Sequence, residues 1–351
     1  MGKTIKRKVE LPLADSPINY YLRFTIPLGI AFLDEGFEDY FYSTHLQINA
    51  RRNGKYLNLY SQQIPSVKNY IKVIFSKKHM NSDKLLEHIL MKLNDGYYIG
   101  IFLDWFYMPN RKSYGNQHFA HREYVYGYDL DTEELLVIGY SNKEIIEKSR
   151  MKFEDFKVAA YEARQRRTLC ELTYYKHKKN VEYKFDFEAT YKGLKSYYES
   201  KLTFGDRWRA QGCHMFLRER ITLGAFDHGM NTHKYLVDLI QKEFDEEKDY
   251  KVSIKLSGFF EFKKCMLKRI IYMKNKGYLS DIDDLISEYS YVVKQYETFR
   301  NLYLKYSLTN NAEILFRIIF GIESLVDTER EIIGKLLERM EKVIYEKCIV
   351  G

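Results

Sequence analysis

The sequence predicts an α+β protein: an antiparallel sheet with helices over residues 1–180, then an all-helical domain over 181–351. Three observations predict it. Short apolar runs bounded by turn residues crowd residues 46–138. From about residue 185 onward, apolar residues recur at 3.6-residue spacing in one long window after another. All five prolines lie before residue 110, and proline breaks the interior of a helix. A chain of 351 residues is long enough for two domains. Its 45% hydrophobic and 30% charged content is ordinary for a globular protein.

Leu11-Pro-Leu13 and Ser16-Pro17 mark an extended opening segment, because the residue before a proline disfavours the helical region. Residues 25–42 follow, with Ile26, Ile30, Leu33 and Phe37 at helical spacing and Pro27 suited to a first turn. Residues 46–48 and 56–60 alternate as strand fragments. Ser82 to Leu90 reads as a helix capped by Ser82, with Leu85, Ile89 and Leu93 as its buried stripe. Asp95-Gly96 is a turn. Strands are expected over 97–104, 121–128 and 134–138, the last two joined by the polar loop Asp129 to Glu133. Met151 to Ala163 reads as a short helix. Helical windows then cover 186–201, 206–223, 230–246, 254–276, 280–306 and 311–347, with Gly224, Gly229 and Gly277 at joints. The simplest assembly of these windows is a bundle.

Net charge is +8, and the basic residues form only two short runs, Lys3 to Lys8 and Lys176-His-Lys-Lys179. Such runs are ordinarily solvated surface, or meet an acidic or phosphorylated partner. No nucleic-acid reader motif occurs, so nucleic acid is not an expected partner. Aromatic content is 16%, with 32 tyrosines, whose flat amphipathic rings suit the wall of a cavity. Cys170, Cys213, Cys265 and Cys348 make neither a CxxC pair nor a metal-ligand spacing. A reduced, cytoplasmic setting is expected. The charged N-terminus lacks the apolar core of a signal peptide, and no apolar run nears the ~20 residues that span a bilayer. Walker, Rossmann, GxSxG and zinc-protease patterns are absent, so no cofactor and no metal are expected.

The candidate chemistry lies between Ile99 and Asp129. His121 opens an apolar run and reads as a general base on a strand beside a cleft. Asp104 closes the preceding run; it either orients a histidine, binds a substrate amine, or caps the following turn. Trp105, Tyr107, His118 and Tyr126 are the candidate substrate-binding residues. His118 and His121 with Asp104 or Asp129 offer a weaker metal alternative. Cys213 and His214 are adjacent, and neighbours on a helix point about 100° apart, so they read as core.

The order Pro12-Leu-Ala-Asp-Ser-Pro17, Asp104-Trp-Phe-Tyr-Met-Pro-Asn-Arg111, Tyr114, His118, His121, Tyr126-Gly-Tyr-Asp129 and Ile138-Gly-Tyr140 resembles a bacterial family. It is similar to the N-terminal domain family of the butirosin biosynthesis protein H, and more closely to relatives encoded beside nonribosomal, thiotemplated peptide pathways. The resemblance covers roughly residues 10–165. It implies a papain-like cysteine-protease fold used to move an acyl group from a carrier-protein thioester to an amine through cysteine, histidine and aspartate. The histidine falls on His121. The cysteine expected near residue 24, at the start of the early helix, is absent, and the aspartate expected near residue 139 is replaced by Gly139. Two functions follow as expectations. One is an accessory protein of antibiotic-type peptide biosynthesis that engages a carrier-bound acyl or peptidyl chain and assists amide formation or release. The other is a catalytically inactive relative that binds a peptide or a partner enzyme.

Overall fold

A computed structural model describes residues 5–44, 48–53, 56–61, 71–77, 80–143, 145–166, 171–178, 181–182, 184–201, 226–244 and 251–350. The chain divides into two compact units, residues 1–35 with 66–181 and residues 36–65 with 182–351.

The first unit is built on a seven-stranded, wholly antiparallel sheet. Its strands are β1 (Lys8–Glu10), β4 (Ile71–Lys77), β5 (Tyr98–Asp104), β6 (Ala120–Asp129), β7 (Glu134–Tyr140), β8 (Ile146–Lys152) and β9 (Glu171–His177), in the order β4-β9-β5-β6-β7-β8. β1 pairs with β6 opposite Gly127–Asp129, beyond the end of β5. Helices α3 (Ser82–Asn94) and α4 (Phe153–Arg166) bring Leu85, Ile89, Leu93, Phe156, Ala159 and Ala160 into one core with Ile99, Ile101, Leu103, Val125 and Val137. α1 (Leu22–Ala31) packs against β4 and β9.

β6 carries the site, and its side-chain alternation is broken once. The register against β7 shifts between Val125 and Gly127, leaving Tyr126 as an extra residue. The shift reverses the faces, so Val125 and Tyr128 both enter the same core. Glu123 to Asp129 are all buried, so both faces of the strand are covered there.

The second unit combines helices with a small antiparallel sheet. α2 (Phe37–Thr44) precedes β2 (Ile48–Asn53) and β3 (Tyr56–Ser61), and β10 (Phe226–His228) pairs with β2. α5 (Phe187–Tyr198), α6 (Thr232–Lys242), α7 (Lys251–Asn275), α8 (Asp283–Thr309) and α9 (Ala312–Val350) complete it. α8 buries Leu285, Tyr289, Val292, Tyr296, Phe299, Tyr303 and Tyr306, a three-and-four spacing that keeps one stripe inward. Asn310 ends α8 in the left-handed region at φ 54°, a conformation asparagine tolerates well, and α9 begins two residues later.

Several expectations change. The helix expected over 25–42 is two helices split at Asp34-Glu35-Gly36, and the second belongs to the other unit. Pro27 is the sixth residue of α1 rather than part of its first turn. The α3 cap is Asn81, whose side chain accepts from the Lys84 N–H at 2.9 Å, and not Ser82. The helix expected from Met151 starts at Phe153, because Ile146–Lys152 pairs with β7. The second unit is not all-helical: residues 48–53, 56–61 and 226–228 form its sheet. The window 206–223, with Cys213 and His214, lies outside the described residues.

Candidate functional site

Asp104 is the last residue of β5, and its side chain makes four bonds. Oδ1 accepts from the backbone N–H groups of Phe106 (3.1 Å) and Phe119 (3.0 Å). The first of these caps the short 3-10 turn Trp105–Tyr107. Oδ2 meets His118 Nδ1 at 2.9 Å and accepts from Arg166 Nε at 3.1 Å. The residue is completely buried. Burial alone would raise its pKa, but the bonds from His118, the two backbone N–H groups and Arg166 outweigh burial and hold it below the usual carboxylate value. Asp104 therefore stays ionised and fixes His118. The sequence left open which histidine it orients; the partner is His118 and not His121.

His118 lies flat on Phe106, with ring centres 4.4 Å apart and planes 21° apart, and Tyr107 is 5.9 Å away. Its Nδ1 edge faces a sealed carboxylate while 37% of the side chain meets solvent. Tyr114 and Phe119 are exposed on the same loop.

His121 is the second residue of β6, opposite Leu103. Trp105 (4.7 Å), Phe119 (5.8 Å, stacked) and Tyr140 (5.7 Å, edge-on) surround its ring. Nδ1 is buried with no hydrogen-bond partner among the described residues and lies 3.9 Å from Glu123 Oε1. The side chain is 29% exposed.

Glu123 sits two residues further along the strand, which places it on the same face as His121. Its buried carboxylate accepts from Trp105 Nε1 at 2.8 Å and from Arg111 Nη2 at 2.7 Å. Arg111 is equally buried, and its Nε and Nη1 have no partner among the described residues. The Glu123 carboxyl group occupies the space above Gly139: a Cβ there would overlap Oε2. A carboxylate from the neighbouring strand therefore lies where a side chain at 139 would.

Tyr140 links this cluster to α1. Its hydroxyl donates to Tyr20 O at 3.1 Å and accepts from the Leu22 N–H at 3.3 Å, at the first residue of the helix. Tyr126 lies apart from both ring clusters. It is buried at the bulge, with Lys148 Nζ 5.2 Å from its ring centre, and burial, helped by Glu10, raises its pKa.

The sequence does not single out Glu123, Arg166 or Phe119, and Arg111 and Tyr140 enter it only as members of the motif string. Glu123 was the accessible one, since period-two alternation puts residues 121 and 123 on one face. Arg111 and Arg166 reach their carboxylates from a loop and from the end of α4, which no spacing rule reveals.

No protein-family description matches the chain, and neither does any curated protein. Among the described residues, no group of three His, Cys, Asp or Glu side chains is placed to hold a metal ion. None of the described helices is long and apolar enough to cross a membrane.

Proposed function

We propose that the first unit is a papain-like domain, and that it engages an acyl or peptidyl thioester presented by a carrier protein and assists its transfer to an amine. The observation that carries this reading is His121 near the start of a central strand, packed among three aromatic rings, backed by a buried carboxylate and partly exposed to solvent. The exposed Tyr114 and Phe119 offer apolar surface for the acyl chain. No thiol is required for this step. A thioester is already activated, and an imidazole that takes the proton of an attacking amine held against it is sufficient.

The test is amide formation from an acyl-loaded carrier and a diamine, comparing wild type with His121→Ala. The variant is expected to lose roughly 100-fold or more of the protein-dependent rate. Equal turnover by the two proteins would remove the catalytic reading.

One observation favours a second reading, a binding module for a peptide or a partner enzyme. The Tyr140 hydroxyl occupies the start of α1, beside the position where the resemblance expects the nucleophile. Binding of the loaded carrier that survives His121→Ala, with no amide above the protein-free rate, would establish that module instead.

A further inference from the structure

The site holds two imidazoles, each beside a buried carboxylate, and the reaction proposed above has two protons to move. We propose that His118, positioned by Asp104, is a second catalytic residue of that reaction: it takes the first proton from the incoming ammonium, and His121 takes the second. The inference rests on the acyl-transfer reading.

The proton count follows from the chemistry. Near neutral pH an alkylamine is an ammonium ion and has no lone pair with which to attack. Loss of one proton frees the lone pair. The nitrogen then adds to the thioester carbonyl, forming the C–N bond. A second proton must leave nitrogen before the C–S bond breaks and the amide forms. One ammonium and one thioester thus give one amide, one thiol and one proton released to water. A single imidazole accepts one proton at a time, so it must be emptied between the two transfers.

The two rings suit different halves of this sequence. His118 is the more exposed, at 37% of its side chain, so it can pass a proton to solvent. Its Nδ1 is bound at 2.9 Å to Asp104, which leaves Nε2 as the accepting nitrogen. The ionised Asp104, anchored by Arg166 Nε and two backbone N–H groups, stabilises the imidazolium that results. His121, packed among Trp105, Phe119 and Tyr140, is the less exposed of the two, and the proton it takes is handed to the departing sulfur. The two rings belong to clusters joined by the adjacent pairs Trp105-Phe106 and His118-Phe119.

The experiment compares two nucleophiles whose protonation differs. A diamine arrives as ammonium; O-methylhydroxylamine is neutral near pH 7 and has only the second proton to lose. With acyl-loaded carrier, His118→Asn is expected to slow amide formation with the diamine by about 10-fold to 100-fold. With O-methylhydroxylamine its rate should stay within about two-fold of wild type, and raising the pH should restore the diamine rate. Asp104→Asn should show the same selective loss, again recovered by raising the pH. His121→Ala should depress both reactions. Equal loss with both nucleophiles in His118→Asn, or loss with neither, would overturn the assignment of His118 while leaving acyl transfer standing. Wild-type protein that forms no amide with either nucleophile above the protein-free rate would overturn the acyl-transfer reading and this inference with it.

Discussion

Gly139 lacks a side chain where Glu123 needs the room. The buried carboxylate is held from two sides by Trp105 and Arg111, so it cannot swing away to admit a methyl group. Gly139→Ala is therefore expected to cost about 1–3 kcal/mol, the usual range for overpacking a filled site. Glu123→Ala should cost more, about 3–5 kcal/mol, because it strands the Arg111 guanidinium in the interior without its one buried anion. Denaturant unfolding of the two variants checks the order; a Gly139→Ala protein as stable as wild type would show that the carboxylate is free to move. At this scale the sequence was partly legible. His121, Asp104, Trp105 and His118 stood out because their types and positions around two apolar runs carry chemistry. The pairing of Asp104 with His118, and of Glu123 with Gly139, depends on which side chains turn toward each other across the sheet. One strand's spacing does not contain that information.

Individual elements were legible where one pattern ran unbroken. α3 keeps a 3.6-residue period along its length, β5 and β7 are continuous apolar runs closed by turn residues, and all three lie within a few residues of the expected bounds. Elements whose polarity is set by partners were not: β8, with Glu147, Lys148, Arg150 and Lys152, is an edge strand that reads as loop or helix. The helices of the second unit hide a further feature. Five of them each contribute to one buried polar cluster: Tyr197 from α5, His233 from α6, Lys263 from α7, Tyr289 from α8 and Glu329 from α9. Lys263 Nζ donates to both Glu329 oxygens at 2.8 and 2.7 Å and to His233 Nε2 at 3.1 Å, while His233 Nδ1 donates to Met230 O at 2.7 Å. Both ring nitrogens of His233 are thereby committed in its neutral form. Burial, reinforced by the Lys263 charge, lowers its pKa below the ordinary 6.5. Burial would raise the pKa of Glu329, but Lys263 and His233 overcome that and hold it far below the ordinary 4.5. Both shifts act in one direction. As pH falls below about 6.5 the unfolded chain takes up a proton that folded His233 refuses, and below about 4.5 the same holds for Glu329. Stability of the second unit should therefore be full above pH 6.5 and decline in acid. His233→Gln should flatten the decline between pH 7 and 5 in a melting series. Lys263→Met, which leaves Glu329 sealed and unpaired, should cost about 3–5 kcal/mol at pH 7, and the Lys263→Met, Glu329→Leu double variant considerably less. A single variant as stable as wild type would mean that water reaches the cluster.

At the scale of the whole chain, the two units are not consecutive in sequence. A boundary near residue 180 was visible as a change of period from two to 3.6, but residues 36–65 join the second unit, and no composition shift marks them. Their membership rests on contacts 143 to 233 residues away. Arg269 is fully buried in α7, and its Nε donates to Tyr42 O in α2 at 2.8 Å. Tyr272 bonds Asp39, and the Asp186 N–H ahead of α5 donates to Ser43 Oγ at 2.9 Å. Burial lowers the Arg269 pKa to about 10, yet at neutral pH the guanidinium stays charged and needs the Tyr42 carbonyl as an acceptor. A fragment of residues 182–351 keeps every long helix and every member of the Lys263 cluster, but it leaves Arg269 without the Tyr42 carbonyl and exposes the apolar faces that Phe37, Tyr40 and Phe41 belong to. It is expected to lack a cooperative thermal transition and to bind a hydrophobic dye. Restoring residues 36–65 through a flexible linker to residue 182 should recover the transition. The comparison isolates those residues from the first unit, which both fragments lack. If the 182–351 fragment melts as sharply as the linked one, the long helices alone suffice to build the second unit and α2 merely decorates it.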